Sequence, residues 1–189
     1  MKIKALLITL ALLLLMVPLT ASAFDGDRQG FMLNLGAGFG QGKLTASGFG
    51  ASASTDAVGF GGDFKIGGGP SSQVLVYFTN RTLWYSPEVA NIEGNLINGM
   101  SAAGVSYFLE PQAPSFFFSG ALGVGVAVDR DADESMSGMG FTLGVGFEFA
   151  RSFIAELTFM YSGVSGDIDI DGVDWSISNI MVTVSWLAY

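Results

Sequence analysis

The sequence contains one motif with the spacing of a metal-binding loop, an alternating run of carboxylates at Asp167, Asp169 and Asp171 that Gly172 closes. Carboxylate oxygens at alternate positions before a glycine can surround a hard cation such as Ca²⁺. Ser178 stands at the twelfth position, where a loop of this spacing carries a bidentate glutamate. A solvated acidic loop tip explains the same residues. We therefore expect no cofactor, with Ca²⁺ at these three carboxylates as the alternative.

The side chains that most enzymes depend on are missing. The chain of 189 residues has no His and no Cys, so it lacks the commonest general base, the commonest metal ligand and any thiol nucleophile. Half of the residues are hydrophobic and 13% are charged, which excludes an intrinsically disordered chain. After residue 23 no run approaches 18 apolar residues, so the sequence predicts no transmembrane helix in the body of the protein.

The pattern that must position the charged residues has a period of two. Large apolar side chains alternate with small or polar ones, mostly Gly, Ala, Ser and Thr, as on a β-strand with two different faces. Six segments show this alternation: 31–40, 58–67, 121–128, 140–149, 156–162 and 179–186. Segments 73–85 and 96–109 are extended by composition, with less clear facing, which makes eight predicted strands.

The small face decides between two all-β architectures. A soluble barrel or sandwich turns its bulky face inward and needs a polar exterior. The second face here consists of side chains that are too small and too rarely charged to form such a polar exterior. In a transmembrane barrel the bulky face meets lipid, and small residues let the strands curl around a narrow interior. The sequence therefore predicts an eight-stranded antiparallel up-and-down transmembrane β-barrel.

Four charged residues on the small faces are predicted to meet inside this barrel: Asp63, Lys65, Glu148 and Glu156. Buried charges need partners, so we expect Lys65 to pair with Glu148 or Glu156, and Arg81 to join if it faces inward. The network is either a structural plug or a path for protons or ions. Eight strands leave room for side chains only, which favours the plug.

The connections between the predicted strands alternate in length. Segments 41–56, 86–95, 129–139 and 163–174 are long, and segments 67–72, 110–115 and 150–152 are short, so the two kinds lie at opposite ends. Aromatic residues near the strand ends predict two interfacial girdles. We place Phe31, Phe64, Tyr107, Phe108, Phe116, Phe117, Phe118, Phe149, Phe153 and Trp186 at the short-turn end, and Phe39, Trp84, Tyr85, Phe141, Tyr161 and Trp175 at the long-connection end.

Residues 1–23 read as a secretory signal peptide. Lys2 and Lys4 precede an apolar stretch, and Ala21-Ser22-Ala23 forms a small-residue cleavage site. Residues 24–189 then form the single domain, in which six Lys and Arg face seventeen Asp and Glu, a net charge of −11. Such a chain repels nucleic acid.

Two segments carry a family resemblance, GFTLGVGFEFARSFIAELTFMY at 140–161 and the C-terminal NIMVTVSWLAY. They resemble the small eight-stranded outer-membrane barrels of Gram-negative bacteria, of the OmpA and OmpX type, and the resemblance extends over residues 31–189. It implies an outer-membrane location, lipid and lipopolysaccharide as neighbours, a monomer, and a C-terminal aromatic signal for the barrel-insertion machinery. Trp186, Leu187 and Tyr189 match that signal, whereas the Gly often found earlier in it is missing.

Two hypotheses about the function of the protein remain. Enzymatic barrels of this size depend on an active-site His, so the resemblance implies a non-enzymatic protein. Its long acidic connections would give it a structural or surface-interaction role, with divalent cations as bridges to lipopolysaccharide phosphates if the acidic loops bind them. The alternative is a narrow passive channel for small or hydrophobic solutes.

Overall fold

The computed structural model describes residues 27–86, 88–89, 92–93, 96–129, 134–166 and 173–189. The predicted signal peptide, residues 1–23, lies outside them. Within the described residues, no helix is long and apolar enough to span a membrane.

The described chain consists of β-strands joined by short connections. The strands are β1 (Gly30–Gly48), β2 (Ala51–Ser71), β3 (Val74–Tyr85), β4 (Glu88–Val89), β5 (Ile92–Glu93), β6 (Leu96–Phe108), β7 (Ser115–Asp129), β8 (Glu134–Ala150), β9 (Phe153–Gly166) and β10 (Val173–Ala188). Eight of them close into one barrel in the order β1-β10-β9-β8-β7-β6-β3-β2, with every neighbouring pair antiparallel. The short β4 and β5 pair with each other. The predicted eight-stranded up-and-down barrel is confirmed.

The facing predicted from the alternation is also confirmed. Bulky apolar side chains such as Leu122, Val182 and Val184 are exposed on the outside, while Gly, Thr and Ser alternate with them toward the interior. An apolar exterior of this extent is far larger than the apolar patches of soluble monomers, and it suits lipid rather than water.

The long connection predicted at 41–56 is wrong. β1 and β2 stay paired from Gly30↔Gly69 to Gly48↔Ala51, and only Phe49 and Gly50 form the turn, both with positive φ. The small residues of this segment lack a bulky apolar face, but their backbones continue the ladder, and β10 pairs with β1 as far as Val173. The segment is therefore a β-hairpin that extends past the end of the barrel.

Four aromatic residues predicted for the girdles lie inside instead. Tyr85, Phe108 and Phe117 are buried in the interior because they occupy inward positions of β3, β6 and β7. Trp175, at an inward position of β10, is partly buried against the interior cluster that contains Ile177. Outward aromatics do cluster at both ends of the barrel. Phe149 stacks on Phe153 beside a short turn, and Phe60 contacts both Phe39 and Trp84 toward the other end.

Candidate functional site

Side chains fill the barrel interior in layers along its axis. At the short-turn end a buried apolar cluster contains Met32, Leu75, Tyr77, Phe108, Phe117, Ile154, Leu187 and Tyr189. Toward the other end come the clusters of Met100, Ala102, Ala121 and Met160, of Leu83, Tyr85 and Met181, and of Ala127, Met136, Val164 and Ile177, against which Leu44 and Trp175 pack. The central charged residues lie between these apolar layers. On β3, for example, the inward Arg81 comes after Tyr77 of the short-turn cluster and before Leu83 of a cluster toward the other end.

Two cations and two carboxylates form the central charged layer, which we call the core network: Asp63, Lys65, Arg81 and Glu156. Glu156 Oε2 accepts hydrogen bonds from Lys65 Nζ at 2.7 Å and from Arg81 Nη2 at 2.6 Å. Arg81 Nε donates to Asp63 Oδ1 at 3.0 Å, and Lys65 Nζ lies 3.5 Å from Asp63 Oδ2. All four side chains are almost completely buried. The two positive charges thus balance the two negative charges.

Neutral side chains take up the remaining hydrogen-bonding capacity of the core network. Thr79 and Asn34 donate to Asp63 at 3.2 and 3.3 Å, and Ser119 donates to Glu156 Oε1 at 2.5 Å. Thr158 accepts from Arg81. Buried ion pairs are stable only when such additional bonds compensate for the lost hydration. The layer therefore has the composition of a structural plug.

Inward glycines make room for these large side chains. A Cβ placed on Gly144 would lie 2.3 Å from Ser119 Oγ and 2.6 Å from Glu156 Oε1. A Cβ on Gly146 would lie 2.2 Å from Phe117 Cζ. These two glycines on β8 thus leave space that side chains of the neighbouring strands β7 and β9 occupy.

A second group of charges, which we call the Arg28 cluster, closes the short-turn end. Arg28 precedes β1, yet it is buried, and its guanidinium donates to Glu148, with Nε at 3.0 Å from Oε2. Its Nη1 also donates to the carbonyls of Ser72 and Glu110 at 2.9 and 2.7 Å, which belong to two different turns. The guanidinium lies over the Phe108 ring, 4.0 Å from its centroid. Arg28 therefore joins the start of the barrel to its turns.

The C-terminal residue completes the Arg28 cluster. The Tyr189 hydroxyl donates a hydrogen bond to Glu148 Oε1, and the ring is buried among the apolar side chains of the short-turn end. Burial raises the pKa of the Tyr189 phenol to about 12, and the bond to Glu148 adds to this increase, so the phenol is neutral and acts as a donor.

The structure brings together three of the four residues predicted for the interior network. Asp63, Lys65 and Glu156 meet as described, and Arg81 joins them. Glu148 does not contact Lys65, because its carboxylate is held by Arg28 and Tyr189. Sequence reasoning missed Arg28. Charge balance could have found it, since three inward carboxylates face only two inward cations on the predicted strands.

The other predicted site residues are placed only in part. Asp167, Asp169 and Asp171 lie outside the described residues, and the described part of the chain holds no group of His, Cys, Asp or Glu that could bind a metal ion. Of the predicted insertion signal, Trp186 faces outward, whereas Leu187 and Tyr189 are buried inside. The alternation ends at Leu187, because Ala188 and Tyr189 are both buried.

Solved structures with the same fold are outer-membrane or surface proteins of bacteria. Ail, the attachment invasion locus protein of Yersinia pestis, aligns with a TM-score of 0.53 and 16% identity over 84% of this chain and 99% of that one. Neisserial surface protein A gives 0.53 and 13% over 82% and 96%. The outer membrane protein OprG from Pseudomonas aeruginosa gives 0.50 and 10% over 87% and 99%. No protein-family model matches the chain, and comparison with curated protein sequences gave no match. At these identities the likeness shows a shared fold, that of small eight-stranded outer-membrane barrels.

The core network predicts a specific pattern of unfolding free energies. Glu156→Gln should lower the free energy of unfolding by about 3–5 kcal/mol, because Lys65 and Arg81 would then share only Asp63. The double variant Lys65→Met with Glu156→Gln restores the charge balance and should lose less than the single variant. Urea unfolding in detergent micelles measures both. Losses that simply add would contradict the network.

The Arg28 cluster predicts a large effect of a residue outside the strands. Arg28→Met should lower the free energy of unfolding by about 3–5 kcal/mol, because it leaves Glu148 buried without a cation. Arg151→Met is the matched control, since Arg151 is an exposed arginine at the same end, and it should change stability by no more than about 0.5 kcal/mol. Equal effects of the two substitutions would show that Arg28 does not close the barrel.

Proposed function

We propose that the protein is a non-enzymatic outer-membrane barrel with a closed interior, which anchors an acidic outer surface that binds partners. The observation that carries the proposal is the interior, in which a neutral network lies between apolar layers. A channel needs a continuous water-filled lumen, and an interior of eight strands holds side chains instead. The apolar exterior and the shared fold support the membrane location.

The distribution of charge supports a role for the end with the longer connections, which we take as the outside. Three of the six Lys and Arg after residue 23 are buried in the interior: Arg28, Lys65 and Arg81. In the sequence, segments 41–56, 86–95, 129–139 and 163–174 contain two cations, Lys43 and Arg130. The same segments contain eleven carboxylates, which gives a balance of −9: Asp56, Glu88, Glu93, Asp129, Asp131, Asp133, Glu134, Asp167, Asp169, Asp171 and Asp174. The outer end therefore attracts cationic partners.

The β1–β2 hairpin adds an apolar contact point to this acidic end. Phe49 at its tip is 85% exposed and has a positive φ, a conformation that bulky residues rarely adopt. An exposed aromatic ring is a frequent anchor of protein interfaces. We assign the hairpin tip, together with the acidic segments, to the surface that meets the partner.

The similar structures support attachment as a class of function but a different ligand. Ail is an attachment and invasion protein by name, and one of its structures contains the heparin analogue sucrose octasulfate, a polyanion. An outer end with a balance of −9 repels polyanions. A basic protein surface is the complementary partner here, and lipopolysaccharide phosphates would need bridging divalent cations.

The passive channel is the second hypothesis, and no observation in the described residues favours it. The core network and the apolar clusters on either side of it lie in the interior, where a conducting pathway would have to pass. Reproducible unitary conductance in a planar bilayer would favour the channel over the proposal.

The proposed surface role predicts binding to a polycation at one end of the barrel. Protein in lipid nanodiscs should bind immobilised poly-lysine but not poly-glutamate, and the binding should weaken as salt increases. Replacing Asp56 and Asp174 by their amides should weaken it several-fold. The control replaces Asp27 and Glu110 at the opposite end by their amides, which changes the net charge equally. Equal losses in the two variants, or no binding by the wild type, would overturn the proposal.

A further inference from the structure

The lipid-facing surface of the barrel is interrupted at one place by polar and small residues. On β3 the outward side chains run from Trp84 through Thr82 and Asn80 to Phe78, and on the neighbouring β6 they are Gly99, Ser101 and Ala103. Trp84 and Phe78 are both exposed aromatic residues that frame the interruption. Asn80 and Ser101 are exposed and directly paired in register. The polar residues thus lie within the apolar band, and we call them, with Gly99 and Ala103, the polar face.

The polar face has more hydrogen-bonding groups than its own side chains satisfy. Asn80 Nδ2 donates to Ser101 Oγ at 2.9 Å, and Thr82 Oγ1 donates to Asn80 Oδ1 at 3.3 Å. The Asn80 amide has a second N–H and a second lone pair, and the Ser101 hydroxyl has a proton of its own. Lipid tails provide no hydrogen-bond partner for these groups, and an unsatisfied polar group in hydrocarbon is unfavourable by several kcal/mol. The polar face therefore fits a partner with hydrogen-bonding groups.

The shape of the same region allows a close approach. On β7 the outward Leu122 pairs with Ala103, and the outward Gly120 pairs with Val105. A shallow groove there is lined by Ala103, Gly104, Val105, Gly120, Leu122 and Leu143. Leu122 and Leu143 are exposed and stand beside the groove. Between protein surfaces in a membrane, small residues permit tight packing and polar side chains add hydrogen bonds across the contact.

The chemistry of the polar face points to a second copy of the same chain. A primary amide is self-complementary, since it offers a donor and an acceptor to an identical amide. Copies in one membrane share their orientation, so a two-fold axis along the membrane normal can bring the two polar faces together. A phosphate-bearing lipid is a poorer fit, because none of the residues of the polar face or its frame carries a positive charge.

We infer that the protein forms a two-fold symmetric dimer in the membrane through the polar face of β3 and β6, with the Asn80 amides of the two copies facing each other. The proposed dimer differs from the monomer that the family resemblance implies. It needs the barrel in a lipid bilayer but not the proposed binding of a cationic partner, so either conclusion can fail without the other.

Cysteine cross-linking in bilayers tests the dimer, because the chain has no Cys and a single introduced thiol can form only an intermolecular disulfide. Ser101→Cys places the thiol in the polar face. Val182→Cys is the matched control, since Val182 is exposed on β10, four positions away in the ring of eight strands. At high lipid-to-protein ratio, oxidation should give about tenfold more dimer from Ser101→Cys than from Val182→Cys, equivalent to about 1.4 kcal/mol.

A third variant tests the role of the amide. Adding Asn80→Leu to Ser101→Cys should reduce the dimer yield to that of Val182→Cys. A change in gel migration on heating shows that each variant has folded. Equal yields from Ser101→Cys and Val182→Cys, cross-linking of Ser101→Cys only to other proteins of native membranes, or an unchanged yield with Asn80→Leu would each overturn the proposal.

Discussion

Charge neutrality inside the narrow barrel interior is the constraint on which the rest of this structure depends. Three cations, Arg28, Lys65 and Arg81, are buried in the interior with three carboxylates, Asp63, Glu148 and Glu156. An isolated buried charge is unfavourable by several kcal/mol, so each must meet its partner at the same height in the barrel. The strand register achieves this, since β2 and β3 bring Asp63 opposite Arg81. Inward glycines on β8 then supply the space for these side chains.

The same constraint shapes the two surfaces of the barrel. Polar and charged groups are concentrated inside, so the outward positions are free for the large apolar side chains that suit lipid. Because the buried cations and carboxylates balance, none of the net charge of −11 of residues 24–189 is contributed by these six residues. A charge-balanced interior, an apolar exterior and an acidic sequence between the strands are the three observations behind the proposed anchoring role.

Much of the fold could be predicted from the sequence because alternation is a local signal. The period of two at 140–149 predicts which side chains face lipid, and the exposure along β8 alternates accordingly from Thr142 to Phe149. The extension of β1 and β2 to Gly48 and Ala51 could not be predicted, since it depends on backbone pairing among small residues with no bulky face. Arg28 was missed for a related reason. It lies outside the strands, and its role appears only when the closed barrel brings Ser72, Glu110, Glu148 and Tyr189 to one end.

Water accessibility of the core network tests the central claim most directly. Ser119 faces Glu156, and Ser119→Cys introduces the only thiol of the chain at that point. A small, water-soluble methanethiosulfonate reagent should leave this thiol unmodified in the folded barrel and modify it after unfolding. Ser52→Cys on the exposed hairpin is the reference for full access. Modification of folded Ser119→Cys at the rate of Ser52→Cys would show a water-filled interior and contradict the closed barrel.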